Sequence, residues 1–156
     1  MAGSRGKKKA AGEPSGRFAG IGEKQKLVYR EIDQVFETAV DGMRIIDKEY
    51  NVLLCNTALS ALTGKSAYEM MNRKCYETFP GELCHGPDCP LSIIIGGENR
   101  IQRDVMKKRN DGFMIPCIMT ASSFYNANGE LIGIVESFKD ITQRKRIEEA
   151  LKESEG

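Results

Sequence analysis

Three stretches decide the fold: Ile101-Gln-Arg-Asp-Val-Met-Lys107, Phe113-Met-Ile-Pro-Cys-Ile-Met-Thr-Ala-Ser-Ser-Phe124 and Leu131-Ile-Gly-Ile-Val-Glu-Ser-Phe138. Together they are rich in strand formers, β-branched and aromatic residues that pack well on a pleated surface. They are joined by Asn110-Asp-Gly112 and by Asn126-Ala-Asn-Gly129, glycine turns of the kind that close hairpins. This predicts three antiparallel strands in a meander. Pro116 interrupts the middle strand. It has no N–H to give to a ladder, so it belongs at a bulge or at an edge-facing position.

Working outward, Met43 to Ile46 and Val52 to Cys55 read as two more short strands, with the polar stretch Asp47 to Asn51 as their hairpin turn. Asn56 or Thr57 can cap a short helix that Gly64 stops. Ser66 with Glu69 three residues on is a capping-box start for another helix. Asp88 can cap a helix with Pro90 in its first turn, ended by Gly96-Gly97. The predicted class is therefore α+β, with a five-stranded antiparallel sheet, short helices on one face, and a pocket between them.

Flanking segments complete the organisation. Residues 1–22 hold Lys7-Lys-Lys9 and little apolar periodicity, so they are expected as a disordered basic tail. Val28, Ile32, Val35, Phe36 and Ala39 recur at helical spacing and predict an amphipathic helix over 23–39, ahead of a core over 40–139. From Asp140, a charged helix carries the stripe Ile141, Ile147, Ala150 and Leu151 over 140–156. Such a helix is marginal alone in water, so a second helix, as in a homodimer through the flanking helices, is its expected partner.

Composition narrows the function. The chain carries 23 basic and 22 acidic residues, a formal net charge of +1, and no global field that would draw it to nucleic acid. Its longest apolar run, Leu91 to Ile95, is far short of the roughly 20 residues that span a bilayer. No apolar leader is evident at the N-terminus, and a cytoplasmic location without membrane contact is expected. An enzyme is not expected either: no phosphate-binding glycine loop, Ser/His/Asp set or paired catalytic carboxylates stand out, and adjacent Cys84 and His85 would meet poorly as nucleophile and base.

The order of elements is similar to the PAS family, and three segments sharpen the resemblance. Val35-Phe-Glu-Thr-Ala-Val-Asp-Gly-Met43 with Asn56-Thr-Ala-Leu-Ser-Ala-Leu-Thr-Gly64 looks like its opening half. Arg109-Asn-Asp-Gly112 through Asn128-Gly129 to Gly133 resembles its closing meander. Asp140-Ile141-Thr142 followed by Gln-Arg-Lys-Arg146 is similar to the motif that ends many bacterial and archaeal PAS domains and opens a signalling helix. The resemblance implies a sensory domain that binds a small ligand, or a metal or redox centre, and relays its state through Asp140, Ile141 and Thr142 to a histidine kinase or similar output. In the competing reading the module binds no ligand and serves dimerisation or protein interaction, its pocket filled by Met43, Ile45, Met119 and Phe138.

One segment stands apart. Cys75-Tyr-Glu-Thr-Phe-Pro-Gly-Glu-Leu-Cys84-His85-Gly-Pro-Asp-Cys89-Pro-Leu91 gathers three of the five cysteines and the one histidine, a density that packing does not need. It is similar to a subset of PAS sequences with Cys-Tyr-Glu followed by Cys and Cys-Pro-Leu. Soft sulfur donors suit zinc or an iron–sulfur cluster, making Cys75, Cys84, Cys89 and His85 the candidate ligands. The spacing is not that of paired CxxC zinc sites. A thiol–disulfide switch and plain structural thiols stay open beside it. Haem ranks below a cluster, because His85 lies on the cysteine-rich loop. Flavin is disfavoured, because Asn72-Arg-Lys-Cys-Tyr-Glu-Thr78 lacks the pattern around the reactive cysteine of the photoreceptor subfamily.

Overall fold

A computed structural model describes residues 33–155. The expected tail and the first part of the expected helix 23–39 lie outside the described residues; 33–38 are helical. The strands are β1 (Gly42–Asp47), β2 (Val52–Cys55), β3 (Arg100–Lys108), β4 (Met114–Tyr125) and β5 (Leu131–Asp140). They form one antiparallel sheet in the order β2-β1-β5-β4-β3. Helices α1 (Thr57–Thr63), α2 (Ala67–Met70), α3 (Cys75–Thr78) and α4 (Pro90–Ile95) lie between β2 and β3 in sequence, and α5 (Thr142–Glu155) leaves the sheet from β5.

The turns form for the reasons their side chains give. Asp47 accepts from the Glu49 and Asn51 N–H groups at 2.9 Å each, and Tyr50 takes a left-handed φ of 71° between them. Asn126 closes the β4–β5 hairpin by accepting from Asn128 and Glu130 N–H. Asn56 is fully buried and uses both ends of its amide. Its Oδ1 accepts from Met43 N and caps α1 through Leu59 N, and its Nδ2 donates to the Phe36 and Asp41 carbonyls. The capping box at Ser66 and Glu69 is present.

Two starts differ from expectation. Helix α4 is capped at Cys89, without a side-chain bond, instead of at Asp88. Pro90 at the first helical position fixes the start there. The single turn α3 was not legible, because its residues carry neither a side-chain cap nor enough length for helical periodicity.

Pro116 explains how the sheet ends. Its carbonyl accepts from Ile141 N at 3.0 Å, so its nitrogen also faces β5, beyond the last paired residue Asp140. The absent N–H therefore costs no ladder bond to β3. It also leaves the Ile141 carbonyl without a strand donor, and that carbonyl accepts from Lys145 N at 2.9 Å as the first bond of α5. Pro116 thus sits neither at a bulge nor facing the sheet edge, but where the β4–β5 ladder ends.

Register sets which side chains share a face. The pairs Arg44↔Glu136, Ile46↔Ile134 and Met119↔Phe138 place these six residues on the side that α1 to α4 cover, where they join Leu59, Met70, Phe79 and Leu91 in the core. On the far side, β1 and β5 come so close at the β1 irregularity between Ile45 and Ile46 that a Cβ on Gly133 would overlap the Ile46 carbonyl oxygen. Glycine is required by contact there, not by φ. Gly133→Ala is expected to cost about 2–4 kcal/mol, measured as a shift in urea midpoint. A variant as stable as the parent would show that β1 can move away freely.

Candidate functional site

The site lies where the cysteine-rich segment crosses the sheet. That segment is pinned to β3: Lys108 N donates to Pro80 O at 2.9 Å, and Gly81 bridges to Lys107. A side chain at Gly81 would meet the Met106 carbonyl at 2.7 Å, so the backbone can lie this close only as glycine. From there the chain proceeds in turns, Cys84 N to Gly81 O, Gly86 N to Leu83 O and Cys89 N to Gly86 O, before entering α4. Beneath these turns is a cavity with about 20 Å³ left open, room for one water.

Its polar wall comes from the strands. Arg44 on β1 is 1% exposed and Glu136 on β5 is 3% exposed, and Nε donates to Oε1 at 2.8 Å. Nη1 of Arg44 also donates to the Cys75 carbonyl and to Thr78 Oγ1, and the guanidinium lies 5.1 Å from the centre of the Phe138 ring. Burial works most strongly against the charge on Arg44, but the facing Glu136 carboxylate, its hydrogen bond and the nearby Cys75 and Cys84 together raise the guanidinium above its ordinary value. Lys107 on β3 is also buried, at 6% exposure. Its Nζ donates to the Phe79 carbonyl at 3.2 Å and to Cys84 Sγ at 3.5 Å. It sits 5.7 Å from the ring centre of Phe79 and 5.5 Å from that of Phe138, where the ring faces attract a cation.

Cys75, Cys84, His85, Cys89 and Met119 all border this cavity, so the structure brings the expected metal residues to one place. It does not arrange them as ligands: among the described residues no group of three or more His, Cys, Asp or Glu is placed to hold a metal ion. Cys75 and Cys89 are buried in the apolar core. The His85 backbone takes a φ of 60°, and its ring stacks on Tyr76 at 4.5 Å and 9° and meets Tyr50 edge-on at 4.7 Å. Cys84 Sγ is occupied by Gly81 N at 3.2 Å and by Lys107. These donors do not fit a zinc, cluster or haem site in this arrangement.

The pocket expectation also needs correction. Met119 borders the cavity, whereas Phe138 is buried in the core against Phe79, the rings meeting edge-on at 5.1 Å. Met43 and Ile45 alternate with Arg44 and Ile46 and so point to the other face. By sequence alone, the apolar residues of β1 suit a pocket better than the charged one between them. Arg44, Lys107 and Glu136 were missed, and their one sequence signal was a charge placed mid-strand among apolar residues.

The relay residues adjoin a second groove. Asp140 stands one position ahead of the cap site and accepts from Thr142 N at 2.8 Å and from the Thr142 hydroxyl, while Ile141 is 3% exposed. Ile141 and Lys145 border a groove of about 210 Å³ with Leu83, Val105, Pro116 and Cys117. Leu83 and Val105 border the first cavity as well, so one layer of side chains separates the cavity from the start of α5. Along α5, Ile147 and Leu151 are exposed. No described helix is long and apolar enough to cross a membrane.

Comparison with known proteins agrees with this architecture. A family model described as PAS fold matches residues 36–146. The histidine-protein kinase AtoS of Escherichia coli K12, a signal transduction protein, is 26% identical over 123 residues, which are 79% of this chain and 20% of the kinase. The chain thus spans about a fifth of the length of that relative. Among solved structures, the PAS domain of an HTR-like protein from Haloarcula marismortui superposes with a TM-score of 0.63 at 18% identity, covering 76% of this chain and 95% of that one. The PAS domain of nitrogen regulation protein NR(II) from Vibrio parahaemolyticus gives 0.56 at 16%, covering 70% and 97%.

The thiols differ in a way that labelling can read. Burial pushes the Cys75 and Cys117 thiols up to about 12 and that of Cys55 up to about 11. Of the five free cysteines, Cys84 alone is not buried. A disulfide-exchange reagent at neutral pH is therefore expected to release one thiol promptly from the native chain, lost in Cys84→Ser, and the others only on unfolding. Because folding raises these thiols, it favours their neutral form. That stability is complete below the ordinary thiol pKa of about 8.5 and should be lost as pH climbs toward about 12, seen as a falling melting temperature.

Proposed function

The chain belongs to the PAS fold family, and from that premise we propose that it is a sensory module, not an enzyme, whose small-ligand or thiol site is the cavity at Arg44, Lys107 and Cys84. A change at that cavity moves Leu83 and Val105, these shift the packing around Ile141, and α5 carries the shift to a histidine kinase or similar output. The observation that carries this reading is the sharing of Leu83 and Val105 between the cavity and the groove at the start of α5. Two packed states of that layer would be enough to bias the helix. The likeness to a segment of AtoS supports a kinase as the class of output.

A second reading has its own support. The cavity has room for only about one water, and Ile147 and Leu151 offer an apolar stripe on α5 at 55% and 57% exposure. A ligand-free module that dimerises through its flanking helices would have both features.

The Asp140 bonds separate the two. Asp140→Ala removes the hydrogen bonds to Thr142 and is expected to cost about 0.5–1.5 kcal/mol, loosening the start of α5 while the core stays folded. In a fusion to a histidine kinase, Leu83→Ala should change kinase activity, and adding Asp140→Ala should abolish that change. If the Leu83 effect persisted while circular dichroism showed a frayed α5, the helix would not be the path. Identical activity in all the variants, with dimers retained, would favour the ligand-free module.

A further inference from the structure

We infer that the cavity takes a small monocarboxylate, of the size of formate or acetate, and that Lys107 recognises its charge; this rests on the sensory reading above. The argument is one of charge. Arg44 and Glu136 satisfy each other at 2.8 Å with both side chains buried. Lys107 is buried beside them at 6% exposure, and among the described residues no carboxylate pairs with it. Its ammonium is hydrogen-bonded, to the Phe79 carbonyl and Cys84 Sγ, but it is not neutralised. Removing a cation from water without an opposite charge is costly, and an anion entering the cavity would supply that charge.

The same walls set the size and charge of the guest. The open space matches one water, so a guest of three or four heavy atoms enters with an outward shift of the cover, the run of short turns from Gly81 to Cys89. Leu91, Met119 and Ile134 complete the wall. They suit hydrogen or methyl on the carboxylate carbon, and a second carboxylate would find no free cation there among the described residues, since Arg44 is already paired and the Glu136 carboxylate borders the same cavity.

The test is calorimetric titration of the 156-residue chain with formate and acetate, with acetamide as the neutral isostere and malonate as the dianion, at ionic strength held constant by chloride. Formate and acetate are expected to saturate and to raise the melting temperature with concentration; acetamide and malonate are not. Lys107→Met should weaken carboxylate binding by about thirtyfold or more, the loss typical of one partner of a buried charge pair, and Lys107→Arg should restore part of it. Without ligand, Lys107→Met should melt at or above the parent temperature, since a buried unneutralised charge is gone. Glu136→Gln should melt lower, because it leaves Arg44 unpaired.

Carboxylate binding undiminished in Lys107→Met, or acetamide binding as well as acetate, overturns the inference. The second outcome leaves the sensory reading standing with a neutral ligand. Absence of any carboxylate binding also overturns it, and the Leu83→Ala and Asp140→Ala fusions then decide the sensory reading independently.

Discussion

Arg44 and Glu136 meet across the β1–β5 ladder under a layer of helices, and the arrangement above them follows from that contact. Bringing two charges out of water costs several kcal/mol for each, recovered only with close geometry and further hydrogen bonds. The pair has the 2.8 Å contact, and the remaining donors of Arg44 reach the Cys75 carbonyl and Thr78 Oγ1. A helix of one turn, too short to hold itself, is thereby tied to the sheet. Once α3 is fixed, Phe79 is set against Phe138 and its carbonyl stands over Lys107. Position passes from β1 to α3 to β3 through side chains, with no continuous backbone ladder between the last two.

Much of this fold was legible because the signals were local. Asn56, the Ser66–Glu69 box and the glycine turns act within a few residues of themselves, and the strands they bound appear within one or two residues of expectation. For Pro116 the restriction was legible but its solution was not, since a missing donor can face the end of a ladder as well as a bulge or an edge. The site was harder. Alternation showed that one face of β1 is buried, but Ile45 and Arg44 are both buried, and only pairing with Glu136, ninety-two residues on, settles which of them faces the helices. Long-range charge pairing leaves no mark in a window of sequence.

The cysteine segment shows the same limit from the other side. Its spacing brought Cys75, Cys84, Cys89 and His85 to one cavity, yet proximity did not make them a coordinating set. Cys75 faces the apolar core and stays a neutral thiol, and His85 turns into a tyrosine stack. Residue type indicated what the segment could bind. Burial and aromatic packing decide what each group is available to do.

Pro116 has a wider consequence for movement. In an antiparallel pair the two residues exchange N–H and carbonyl bonds, and at Pro116 and Ile141 half of that exchange is chemically impossible. Extending β5 past Ile141 at the expense of the helix therefore forgoes one ladder bond at Pro116. Sliding β5 along β4 to bring a new residue opposite the proline gives up a bond as well. The Ile141–Pro116 hydrogen bond is thus the last ladder bond between β4 and the start of α5. A turn of α5 about that bond would carry a displacement beside Ile141 outward in proportion to the length of helix beyond it.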